Sequence, residues 1–67
     1  MTNEDAIATL VALTSQGEVT KVRLEAARSL AAYLHDERAV RALKDLASSG
    51  NLEEVRIEAI KVLGGRS

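Results

Sequence analysis

The 67 residues are 46% apolar and 28% charged; nine basic and ten acidic side chains give a formal net charge of −1, and Tyr33 is the single aromatic. That length allows one domain, residues 1–67, with a thin core, because chains of this size bury only about 60% of their unfolded surface. With no cysteine and one histidine there is neither a disulfide nor a self-contained zinc site, the charge balance disfavours phosphate-backbone binding, and no apolar run reaches the ~20 residues of a membrane span.

The first helix is expected from about Asn3 to Gln16, with Ala6, Ile7, Leu10, Leu13 and Thr14 at three- and four-residue spacing. Thr2 or Asn3 can cap it, Glu4 and Asp5 complement its positive end, and Gly17 reads as a left-handed stop. The second helix starts near Val19 or Thr20 and runs to about Leu34. Asp36 caps a third, Glu37 to Ser49, which carries Val40, Leu43 and Leu46 and ends at Gly50. Asn51 opens the fourth with Glu54 three positions on, an asparagine version of the capping box, and the pattern runs through Leu52, Val55, Ala59 and Leu63 to Gly64-Gly65. Proline is absent and no stretch alternates with period two, so the fold is expected to be all-α, four helices without strands.

The helices form two copies of one unit. Aligning the chain with itself at an offset of 33 makes 34 pairs, of which eleven are identical, among them Leu10/Leu43, Gly17/Gly50, Val22/Val55, Arg23/Arg56, Glu25/Glu58 and Leu30/Leu63. A shared taste for alanine and leucine does not explain matched glycines and Val-Arg dipeptides. Two stacked antiparallel helical hairpins follow, one spanning about 3–34 and the other about 36–65.

The second and fourth helices carry two apolar stripes each. Val22, Ala26, Leu30 and Leu34 form one and Leu24, Ala27 and Ala31 the other; Val55, Ala59, Val62 and Leu63 stand against Ile57 and Ile60 in the fourth. In a stack one stripe faces the partner helix and the other the adjacent repeat, so the last stripe has no neighbour in the chain. Leu24, Ile57 and Ile60 are therefore the expected self-association surface, with a homodimer formed helix four on helix four across a two-fold axis. Arg23, Glu25, Arg28, Arg56, Glu58 and Lys61 recur along the same helices and form the expected protein-binding face, although guanidinium groups at such positions also bridge turns within a fold. His35 closes the second helix beside a turn without the partners catalysis needs, and Tyr33 is equally suited to packing or recognition. No catalytic residue, cofactor or metal is expected.

Val22-Arg23-Leu24-Glu25-Ala26-Ala27-Arg28-Ser29-Leu30 resembles the second helix of HEAT-like repeats, of the short type first described in phycobilin lyase accessory subunits. His35-Asp36-Glu37-Arg38-Ala39-Val40 with Leu43 is similar to that family's Asp-x-x-Ala-Val-x-x-Leu helix start, and Val55-Arg56 with Ala59, Leu63 and Gly64 repeats the first signature. The turns depart from the pattern, having Gln16-Gly17-Glu18 and Ser49-Gly50-Asn51 where the family places an aspartate, often followed by proline; Glu18 or Asn51 can substitute for it. The resemblance implies an α-solenoid fragment acting as a non-catalytic protein–protein interaction or scaffold module in the cytoplasm. A tetrapyrrole lyase subunit is the alternative it implies. A nucleic-acid-binding module is a second alternative, disfavoured because Glu18, Glu25, Glu53, Glu54 and Glu58 interleave with Lys21, Arg23, Arg28, Arg56 and Lys61.

Overall fold

The computed structural model describes residues 2–15, 17–48 and 50–65, and among them are four short α-helices. They are α1 (Asn3–Leu13), α2 (Thr20–Ser29), α3 (Glu37–Leu46) and α4 (Glu53–Gly64), with a 3₁₀ helix, Leu30–Tyr33, continuing α2. Among the described residues there is no strand, and no helix is long and apolar enough to cross a membrane.

The odd helices start on side-chain caps. Thr2 Oγ1 accepts from the Asp5 N–H at 3.1 Å, and Asp36 Oδ1 from the Arg38 N–H at 2.8 Å, each satisfying one of the donors a helix leaves open at its start. The even helices start without one. Val19 and Leu52 hold extended backbone there, and their carbonyls accept from the Arg23 and Arg56 N–H groups at 3.1 and 3.0 Å.

Several expected ends are corrected. Helix α1 stops at Leu13, where the Thr14 hydroxyl donates to the Val11 carbonyl at 2.6 Å and competes with the next helical bond. Among the described residues no glycine has positive φ, so Gly17 and Gly50 are turn residues and not left-handed stops. Helix α3 ends at Leu46; Gln16 and Ser49, the expected last residues of two helices, lie outside the described residues. Asn51 does not cap α4, because Leu52 occupies that position.

Each helix packs on its hairpin partner and on its counterpart in the other repeat: α1 on α2, α3 on α4, α1 on α3 and α2 on α4. The result is two rows of two helices, a slab of 31 × 28 × 15 Å. Its centre is Leu30, Leu43 and Val55, fully buried, with Ala27, Ala39 and Ala59 equally buried in the same cluster. Small residues in that cluster replace the aromatics that the composition lacks.

Candidate interaction surface

Arg23 is buried, 5% exposed, because it joins the two hairpins. From the first turn of α2 its Nε donates to the Thr14 carbonyl at 3.4 Å, a group α1 cannot satisfy itself, and its Nη2 donates to Asn51 Oδ1 in the second repeat. Asn51 in turn donates through Nδ2 to the Asp45 carbonyl at 2.8 Å and to Ser48 Oγ at 3.2 Å, closing the end of α3. The turn preceding α4 is thus held by one carboxamide whose oxygen must face the arginine, since guanidinium only donates.

Arg56 occupies the same position in the second repeat but not the same environment. Its Nε is shielded from solvent and hydrogen-bonds to nothing among the described residues. An unmatched buried donor carries a desolvation penalty.

Arg28 links the even helices on their exposed side. It contacts Glu25 at 2.8 Å one turn away and Glu58 of α4 at 3.4 Å. Hydrogen bonding to Glu58 and then to Glu25 raises its guanidinium further above the ordinary value. Exposed pairs of this kind add little stability but fix register between helices. A second such group lies at the start of α3, where Arg38 meets Asp36 through two bonds of 3.0 and 3.1 Å and Glu4 of α1 at 3.0 Å. The Arg38 side chain, reinforced by its backbone N–H, holds the Asp36 carboxyl below its ordinary range, and the bond to Asp36 raises Arg38. The sequence placed Glu4 and Asp36 at two helix starts but did not reveal that Arg38 links them.

Of the expected self-association residues, Leu24 is half-buried against the core while Ile57 and Ile60 remain 46% and 57% exposed. Of the expected binding face, Glu25, Arg28 and Lys61 are exposed, Glu58 and Arg56 half-buried, and Arg23 is taken up inside the fold. A groove of about 700 Å³ lies elsewhere, between α1 and α3, lined by Ala8, Val11, Thr14, Arg38, Arg41 and Asp45 among others. The sequence did not single it out, since it combines Thr14 and Leu46 from the apolar spacing with residues such as Ala8 and Arg41 that carry no motif. Tyr33 is half-buried against the core with its ring centroid 6.4 Å from that of exposed His35. Among the described residues no three His, Asp or Glu side chains are grouped to hold a metal ion.

No curated protein and no solved structure matches the chain significantly. The sequence model of the HEAT repeats does match, over residues 1–66. With two helical hairpins packed side by side and a match that spans nearly all of its length, the chain belongs to the HEAT-repeat family.

Proposed function

We propose that this chain is a protein–protein interaction module without catalysis of its own, and that its working surface is the outer face of α4 together with the charged edge beside it. One observation carries the reading. Ala27, on the helix that packs against α4, is fully buried, whereas Ile60, at the same position one repeat later, is 57% exposed, and Ile57 one turn earlier is 46% exposed. Exposed aliphatics at a position the fold otherwise covers are characteristic of an interface. Glu25, Arg28, Glu58 and Lys61 border it and supply selectivity by charge, with Arg56 at its rim. Self-association through Ile57 and Ile60 is part of this reading, as is a place in the cytoplasm. The lyase-accessory alternative rests on motif resemblance alone, and a bilin titration without a change in absorbance removes it.

Affinity capture with the wild-type chain and with an Ile57→Glu, Ile60→Glu double variant tests the reading. Both sites are exposed, so circular dichroism should show an unchanged fold. Loss of every captured partner from the variant is the expected result. Retention of all of them by a folded variant contradicts the assignment of this face.

A further inference from the structure

The contacts that join repeat one to repeat two define what a third hairpin would have to offer α4, and the front of this same chain offers it. Arg23 reaches forward to Asn51; shifted by one repeat, Arg56 reaches forward to a residue whose counterpart in repeat one is Glu18. Arg28 reaches forward to Glu58; shifted likewise, Lys61 reaches forward to the counterpart of Glu25. Both glutamates are exposed, and both provide charge opposite to the group they would receive. The effect of cover is visible on the second pair of positions. Arg28 meets both Glu58 and Glu25, yet the Glu58 side chain, on the repeat that follows, is 17% exposed and that of Glu25, on its own helix, 66%.

We propose that the outer face of α4 receives the α1–α2 hairpin of a second copy of this chain, head to tail, with Arg56 bonded to Glu18 of that copy and Lys61 to its Glu25. This deepens the reading of α4 as a docking face and rests on it. An acceptor at Glu18 supplies the Arg56 guanidinium with the anchor that Asn51 gives Arg23 through Nη2. Ile57 and Ile60 then lie where Leu24 and Ala27 lie inside the chain, covered by the next hairpin. One contact opposes the arrangement. Shifting the Glu4–Arg38 pair by a repeat sets Glu37 against Asp5, a like-charge meeting of exposed side chains, weak beside two matched pairs over an apolar patch. Such an interface is heterologous, so copies add in series and do not close as a two-fold dimer.

Charge reversal at each side of the interface, followed by mixing, tests the proposal. The wild type should form species beyond a dimer in sedimentation velocity as concentration rises to about 1 mM. Arg56→Glu and Glu18→Arg should each weaken association on the order of tenfold, and an equimolar mixture should recover it, because one native interface is restored and the other carries the reversed pair. Lys61→Glu and Glu25→Lys, both at exposed sites, repeat the experiment without touching the partly buried Arg56. A wild type that stays monomeric throughout overturns the proposal while leaving docking of a different protein open to the capture experiment. Association sensitive to Arg56→Glu but indifferent to Glu18→Arg and Glu25→Lys also overturns it, in favour of α4 pairing with α4 across a two-fold axis.

Discussion

Asn51 is the residue on which the two repeats depend most. Its oxygen accepts from Arg23 and its nitrogen closes the end of α3, so an alanine there strips a buried guanidinium of its acceptor. Asn51→Ala should cost about 1.5–3 kcal/mol in urea unfolding, the range for hydrogen bonds to charged groups. Arg23→Met should cost less in the Asn51→Ala background than in the wild type, because the lost pair is then counted once. Asp36 makes a prediction in pH. Its carboxyl sits below the ordinary range, so the stability it contributes is complete above the unfolded-state value of about 4 and disappears as pH falls through the lower folded value. Asp36→Asn keeps a capping oxygen but has no proton to gain. Its melting temperature should lie below that of the wild type at about pH 6, and the gap should narrow towards about pH 2. A gap that widens with acidification contradicts the role given to Arg38.

Equivalent positions on α2 and α4 diverge according to what covers them. Ala27 is fully buried on the helix that packs against α4, so Ala27→Leu should overpack the core there and cost about 1–3 kcal/mol. Ile60→Ala, its counterpart in the open, should change stability by no more than about 0.5 kcal/mol in dilute solution. Equal costs at the two positions would mean that α4 is not the uncovered end of the stack. Helix number, order and the caps of α1 and α3 were legible because amphipathic spacing and the residues Thr2 and Asp36 act locally. The ends were not. Gly17 and Gly50 look like stops in sequence, yet what ends α1 is the Thr14 hydroxyl bonding back to Val11, and what organises the turn before α4 is Asn51 reaching across to Arg23. An asparagine three residues before a glutamate reads as a local cap; only the tertiary partner, 28 residues away, shows that it acts at long range. For the same reason Arg23 was grouped with binding residues on the strength of its repeat to Arg56, although packing separates the pair: Arg23 bridges the repeats, while the Arg56 Nε has no hydrogen-bond partner among the described residues.

At the scale of the stack, each hairpin buries its second face only against a neighbour, and the described residues form two such hairpins. Ile57, Ile60 and Arg56 at one end, and Glu18 and Glu25 at the other, are then two halves of one contact that the chain makes internally once. Increasing salt should weaken the association by screening the exposed pairs, but not abolish it while the isoleucines remain. The most direct test is zero-length carbodiimide cross-linking of a mixture of nitrogen-isotope-labelled and unlabelled chains, read by mass spectrometry. Lys21, Lys44 and Lys61 are the only lysines, so each product is assignable. An isotope-mixed amide between Lys61 and Glu25, dominant over other lysine–carboxylate pairs, is the predicted result. Mixed products joining Lys61 to Glu53 or Glu54 of another α4, or no mixed product at all, would contradict the head-to-tail account.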